Sequence, residues 1–224
     1  MEIISCAHEP QWGNMYVLKE ENHIILVDPC VIEAGDIVAE SIVDYIILTH
    51  EHYDHISGVN YWKNITGAKV ICSSACSRGL SDPHINLSST FQQFCAIQSV
   101  RDIDLSVIEN ADYVCQADII YDEPYKLEWE GNTLEFFPLP GHSKGSAGVL
   151  INNEVLFAGD SLLKDYPVTG CFVGSSGDDW TNISLPKLKT LPSNVWVYPG
   201  HFARFNLQDY RFWNESKFRR GRKK

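Results

Sequence analysis

No apolar run in the chain approaches the roughly 20 residues that a membrane-spanning helix needs. The opening residues Met1-Glu2-Ile3-Ile4-Ser5 have neither a basic start nor a long apolar stretch, so no export signal is read there. Paired cysteine patterns are missing too. Seven cysteines lie scattered at Cys6, Cys30, Cys72, Cys76, Cys95, Cys115 and Cys171. The number is odd, and Cys72 and Cys76 lack a second pair at zinc-ribbon spacing, so both read as packing residues. Free thiols in a reducing cytoplasm are the expectation. Basic charge is scarce: 18 Lys and Arg stand against 29 Asp and Glu, a net −11. That balance opposes a nucleic acid or an anionic membrane as partner. The deficit deepens over residues 1–216, which hold 12 basic and 29 acidic groups, because six Lys/Arg crowd residues 217–224. This basic C-terminal tail reads as a solvated terminus. Repeats and low-complexity segments are absent as well.

What is present suits a globular protein. A chain of 224 residues can bury a substantial core, and it is read as one domain over residues 1–216 followed by the tail. Residues 15–19 and 23–28 read as a hairpin turning at Glu20-Glu21-Asn22. Residues 34–41 have helical periodicity, 43–48 form a buried strand, and 56–63 a helix stopped near Gly67. A strand follows at 68–72. The stretch 73–122 looks irregular, with a short helix expected over 88–99 around Phe91 and Phe94, and His84 exposed in a polar loop. Strands return as hairpins over 125–130 with 133–138, and 147–151 with 155–158. A helix at 185–190, a strand at 195–198 and a closing helix at 207–217 complete the chain. Two strand-rich halves, each carrying helices, predict an α+β core of two sheets with helices outside.

The densest chemistry lies in Thr49-His50-Glu51-His52-Tyr53-Asp54-His55, three imidazoles and two acids directly after Ile46-Ile47-Leu48. In extended chain residues two apart face the same way, so His50 and His52 can grip one ion together. Asp54 is placed as the N-cap of the following helix, a turn that swings Asp54 and His55 toward a second ion. A lone histidine is ordinarily a surface or core residue; three at this spacing with an aspartate have no structural use. Three more ligand types follow apolar strands: His142 in Leu139-Pro140-Gly141-His142, Asp160 in Phe157-Ala158-Gly159-Asp160, and His201 in Tyr198-Pro199-Gly200-His201. A glycine before each permits a sharp turn. Nitrogen and carboxylate donors together suit zinc, iron or manganese.

With these residues in place the chain resembles a metallo-β-lactamase-fold hydrolase, a small glyoxalase-II-like member. The family's His-x-His-x-Asp-His, then His, Asp and His, is filled at every position. The resemblance runs from about residue 15 to 201 and implies a four-layer αββα sandwich. It implies that His50, His52 and His142 hold one divalent ion, that Asp54, His55 and His201 hold the other, and that Asp160 bridges. Asp28 matches a buried acid that supports the ligands from behind, and Asn86-Leu87-Ser88-Ser89 resembles a loop of glyoxalase-II-like members. Three departures bear on substrate. Thr169-Gly170-Cys171-Phe172-Val173-Gly174 replaces an Arg-rich segment, no counterpart of the glutathione-gripping C-terminal domain is expected, and the RNA-binding insertion of tRNA-processing relatives is missing.

The implied activity is a binuclear metal-dependent hydrolase, zinc first with iron or manganese as alternatives, in which metal-bound hydroxide attacks an ester, thioester or lactone carbonyl. Asp54 is expected to orient the nucleophile as well as to bind metal. Tyr166 and Lys164, just past Asp160, are placed as substrate contacts; surface packing is the plainer reading of Tyr166, as a loop thiol is of Cys171. Trp12, Trp62, Trp180, Trp196 and Trp213 read as core or interface aromatics, with Trp12 a candidate pocket wall. The competing readings are a mononuclear iron, persulfide-dioxygenase-like oxidoreductase, a metal-dependent phosphodiesterase, and a non-catalytic metal-binding module. The expected partner is a small-molecule substrate; the sequence leaves oligomeric state unassigned.

Overall fold

Alternating apolar residues near the start of the chain become one flank of a mixed sheet, in a computed structural model that describes residues 1–7, 13–30, 35–97, 104–168, 170 and 172–213. Trp12, Cys171 and the basic tail 217–224 lie outside the described residues. The chain divides into two compact units, Met1–Ile120 and Tyr121–Lys224.

The first unit is built on strands β1 (Glu2–Ala7), β2 (Asn14–Glu20), β3 (His23–Val27), β4 (Ile42–Ile47), β5 (Lys69–Ser73) and β6 (Ile119–Tyr121), adjacent in that order. β1, β2 and β3 form an antiparallel meander, with Ile4 opposite Val17 and Leu18 opposite Ile25. β3, β4 and β5 are parallel, so their carboxyl ends share one edge, the edge where sites form in such sheets. Asp28 leaves β3 there and the 49–55 cluster leaves β4. The short helix α1 (Gly35–Val38) lies between β3 and β4, while α2 (Tyr53–Ile56) and α3 (Val59–Thr66) lie between β4 and β5. α3 buries Val59 and Trp62 and ends at Gly67, whose φ of 71° and N–H to the Lys63 carbonyl close the last turn. Trp62 joins Met15, Val17, Leu26, Ile46 and Val70 in one buried apolar cluster.

The expected irregular stretch holds α4 (Ser74–Leu80), capped by Ser73 accepting from the Cys76 N–H at 3.1 Å, and α5 (Phe91–Ile97). Two serines and a glycine give α4 little helical propensity; burial of Cys76 and Leu80 holds it. His84 is exposed as expected. Cys72 and Cys76 are both fully buried, in keeping with a packing role, and six cysteines among the described residues are free thiols. Burial, helped by neighbouring Cys72, pushes the Cys115 thiol up to about 12, and burial likewise raises Cys76 and Cys30. Reagents attack the thiolate. Because all five are also closed off by burial, titration of the native protein with Ellman's reagent at pH 8 is expected to leave Cys30, Cys72, Cys76, Cys95 and Cys115 slow, releasing them only in denaturant. Half-buried Cys6 is the one of the six placed to react first.

The second unit carries β7 (Tyr125–Trp129), β8 (Asn132–Pro138), β9 (Ala147–Ile151), β10 (Val155–Gly159), β11 (Trp196–Pro199) and β12 (Phe205–Asn206), in the order β12-β11-β10-β9-β8-β7. Both expected hairpins form. Asn152 and Asn153 turn the second with φ of 51° and 57°, the left-handed pair that matches strand twist. β8 and β9, and β9 and β10, are antiparallel, and β10 and β11 parallel. β8, β10 and β11 therefore run the same way and deliver residues 142, 160 and 201 to one edge. Helices α6 (Gly177–Asp179) and α7 (Leu185–Leu188) flank a π turn, Trp180–Ser184, whose Trp180 packs with Leu139, Leu162, Leu188 and Val197.

The closing helix does not form over its described part. A single 3-10 turn, Leu207–Asp209, gives way to extended backbone at Tyr210, and the rest of the predicted helix, residues 214–217, lies outside the described residues. Tyr210 is buried with the rings of Phe212 and Trp213 edge-on to it at 5.9 and 5.3 Å. Packing three nearby aromatics together outweighs the helical period of the segment. Among the described residues no helix is long and apolar enough to cross a membrane.

Candidate metal centre

In the first unit the cluster is assembled by the turn from β4 into α2. Asp54 is not the helix cap. α2 starts at Tyr53 with His52 in the cap position, and the Tyr53 N–H donates to the Asn86 carbonyl at 2.8 Å. The helix thus starts one residue before Asp54, with the Asn86–Ser89 loop satisfying its first N–H, which leaves the Asp54 carboxylate inside the first turn beside the imidazoles. Asn86 is itself tied down, its amide donating to the Tyr113 carbonyl and its Oδ1 accepting from the Ser88 N–H.

His50, His52, Asp54 and His55 are all buried, none more than 1% exposed. The rings of His50 and His52 lie 4.8 Å apart and those of His50 and His55 4.3 Å. Phe94 of α5 stands edge-on to His52 at 5.8 Å and walls that side. Asp28, at φ 49° just past β3, accepts from the Thr49 N–H at 2.8 Å and from the Thr49 hydroxyl at 2.6 Å. The hydroxyl has one proton, already given to Asp28, so at its 3.1 Å contact with His50 Nδ1 it accepts. This network assigns the proton of His50 to Nδ1 and leaves Nε2 with its lone pair outward. Asp28 also lies 3.4 Å from His55 Nδ1, while His55 Nε2 lies 3.7 Å from Asp54. Asp28, His50 and His55 have ligand atoms within 4.8 Å of one another, but both Asp28 oxygens are engaged by Thr49. Asp28 is therefore a brace behind the imidazoles, the arrangement that orients metal-binding histidines.

Gly13 fits closely against this group. Its N–H donates to the Asp54 carbonyl at 3.0 Å, and a Cβ there would run into the His55 imidazole. His55 is fully buried and has no room to retreat. Gly13→Ala is expected to weaken metal retention about tenfold or more in chelator competition, with circular dichroism reporting a folded chain.

In the second unit Asp160 is the hub. Its Oδ2 lies 3.6 Å from His142 Nε2 and 3.4 Å from His201 Nε2, all three residues at most 4% exposed. Two donors each about 2.0–2.2 Å from one tetrahedral ion lie roughly 3.3–3.6 Å apart. The separations are those of groups converging on a cation, so the donor set fits a metal. Gly141, at φ 148°, faces Trp180, whose Cβ a methyl at residue 141 would meet at 2.8 Å. Beyond His142, Ser143 and Ser146 share a 2.9 Å hydroxyl contact and the Ser143 N–H donates to Ser146 at 3.1 Å, fixing the loop. Ser161 ties the turn after Asp160 to the Leu139 carbonyl.

The structure thus gathers His50, His52, Asp54 and His55 in one unit and His142, Asp160 and His201 in the other. Lys164 and Tyr166 are half-buried, and the Tyr166 ring stacks on Phe202 at 4.9 Å. Sequence reasoning missed Thr49, Phe94, Gly13 and Phe202. Only Thr49 carried a signal, its place immediately before His50.

The sequence profile of the Metallo-beta-lactamase superfamily matches residues 11–201. A probable metallo-hydrolase of Streptococcus pyogenes serotype M6 is 29% identical over 211 residues, covering 90% of this chain and 84% of that protein. A hydroxyacylglutathione hydrolase of Pelagibacter ubique is 27% identical over 210 residues, 90% of this chain and 70% of that one. Among solved structures, the BLEG-1 B3 metallo-beta-lactamase superposes with a TM-score of 0.73 at 22% identity, covering 96% of this chain and all of that one. The α+β metallo-β-lactamase fold is the one expected from the sequence.

Proposed function

The chain belongs to the metallo-β-lactamase superfamily and is a metal-dependent hydrolase; we propose that it cleaves a small ester, thioester or lactone with two divalent ions, zinc in the first place. In this reading His50, His52 and His142 hold one ion, Asp54, His55 and His201 the other, and Asp160 is shared. The observation that carries it is the hub in the second unit, where one carboxylate oxygen stands 3.4 and 3.6 Å from two buried imidazole nitrogens.

Ions held there would supply Lewis acidity, making water acidic enough to attack near neutral pH and polarising a carbonyl oxygen. The protein's own groups do the rest. Asp28, through Thr49, holds the His50 proton at Nδ1 so that Nε2 faces the ion. The Asp54 carboxylate takes up the proton of the attacking water and fixes its approach. Phe94 keeps bulk water from the His52 side. Tyr166 and Lys164 face the substrate, Tyr166 offering its hydroxyl to the developing oxyanion. The Pelagibacter relative favours a thioester, since acylglutathione is one. A cytoplasmic setting belongs to the same reading, supported by the free thiols.

The test is elemental analysis of protein purified without chelator or His-tag, followed by a panel of thioesters, lactones and a phosphodiester. About two zinc or manganese per chain with thioester or lactone turnover is the expected result. About one iron per chain with oxygen uptake on persulfides would replace it with an oxidoreductase, and turnover of the phosphodiester alone with a phosphodiesterase.

A further inference from the structure

We propose that Phe202 and Tyr166, flanked by Phe172 and Val173, form an apolar platform that selects substrates whose leaving group is flat and hydrophobic. The inference rests on the hydrolase reading above and names the class of substrate that this edge of the second unit receives.

Phe202 immediately follows His201 and holds φ at 68°. A bulky side chain enters that left-handed region only at a cost, and a turn needed for geometry alone would use Gly, Asn or Asp. Burial does not repay the cost, because the residue is 43% exposed. The ring lies instead nearly flat on Tyr166, centroids 4.9 Å apart and planes 26° apart, and 6.3 Å from the His201 imidazole. Sparsely populated backbone held beside a ligand is a sign of function. A second aromatic does the same for the other imidazole, Phe172 standing edge-on to His142 at 5.7 Å, and its neighbour Val173 is 59% exposed. Both histidines around Asp160 thus have a ring beside them, and apolar surface reaches solvent at that edge.

Charge points the same way. Between Ser161 and Ser176 the only charged residues are Lys164 and Asp165, and Asp165 faces Arg211 at 3.3 Å. This stretch offers no cluster of cations to hold a doubly charged carboxylate tail such as that of glutathione. It offers instead faces on which an aromatic or aliphatic group can stack.

The experiment uses the metal-loaded enzyme and two thioacetates that share one acyl group, S-benzyl and S-methyl thioacetate. Their ketone counterparts, 4-phenylbutan-2-one and butan-2-one, have CH2 in place of sulfur and report binding by ligand-observed NMR. Wild type is expected to favour the benzyl over the methyl thioester in kcat/KM by roughly tenfold, and Phe202→Gly, which also suits the positive φ, to bring the ratio to within about twofold. Phe202→Tyr, which keeps the ring, retains the preference. The phenyl ketone is expected to bind the glycine variant about tenfold more weakly than wild type. Thioester cleavage with the same selectivity and ketone affinity in wild type and Phe202→Gly overturns the platform and leaves the hydrolase standing. Ketone binding that depends on Phe202, in a protein that cleaves neither thioester, keeps the platform and removes the thioesterase reading.

Discussion

Asp54→Ala is expected to lower kcat/KM by about 10³-fold or more on any substrate the wild type cleaves, with the chain still folded. Asp54 is 1% exposed in the first turn of α2, and its carboxylate lies 3.7 Å from His55 Nε2. The backbone holds it there by two contacts the side chain does not make. The Asp54 carbonyl accepts from Gly13, and the start of the helix is satisfied by Asn86. Removing the carboxylate therefore leaves the turn intact, but takes away the group that the proposed mechanism uses as a donor to the second ion and as the acceptor of the proton of the attacking water. Asp54→Asn separates the two losses. It keeps an oxygen that can ligate but cannot take a proton, so metal content should stay nearer wild type while turnover falls with the alanine variant. Metal content and steady-state rates on the same preparations decide the matter, and wild-type turnover in either variant would sink the assigned role.

The candidate ligands were legible in the sequence because each breaks a local rule. A polar cluster directly after Ile46-Ile47-Leu48, and Gly-His or Gly-Asp directly after three other apolar strands, serves no purpose in a core. The hairpins were legible for the opposite reason, since Asn152-Asn153 and Gly131 agree with the alternation around them, although the first turn falls on Glu130-Gly131, one residue before the expected Gly131-Asn132. What failed to show was anything fixed by distant partners. α4 has poor helical residues and exists through burial of Cys76 and Leu80. The closing helix has a good period and loses to the packing of Tyr210, Phe212 and Trp213. Asp54 had the right identity for a cap, and only the fold reveals that the helix starts one residue earlier, its Tyr53 N–H donating to Asn86 more than thirty positions on. Phe202 had no signal at all, because its meaning lies in a backbone angle and in stacking on Tyr166.

The brace behind the ligands gives the second large effect, and it needs no contact with the ion. Asp28 accepts twice from Thr49, through Oδ1 from the N–H and through Oδ2 from the hydroxyl. An asparagine of the same shape has one acceptor and one donor, so Asp28→Asn must lose one of these bonds and point an N–H at another donor. Leaving a buried donor unsatisfied costs about 1–3 kcal/mol, and the metal-free protein is expected to melt at a correspondingly lower temperature. The consequence at the ligands is larger. Without Oδ2 the Thr49 hydroxyl has no fixed acceptor and can donate to His50 Nδ1, which drives the ring proton to Nε2, the atom needed for the ion. His55 loses the carboxylate 3.4 Å from its Nδ1 in the same step. Two ligands are thus misprotonated or loosened by one substitution, and chelator competition should find metal affinity reduced about 10–100-fold. Thr49→Val removes the hydroxyl and leaves the backbone N–H to Asp28. If the relay runs through the hydroxyl, this variant shares the loss of affinity and keeps more of the stability; if affinity is unchanged in both variants, the brace is structural and the His50 proton is held by something other than Asp28.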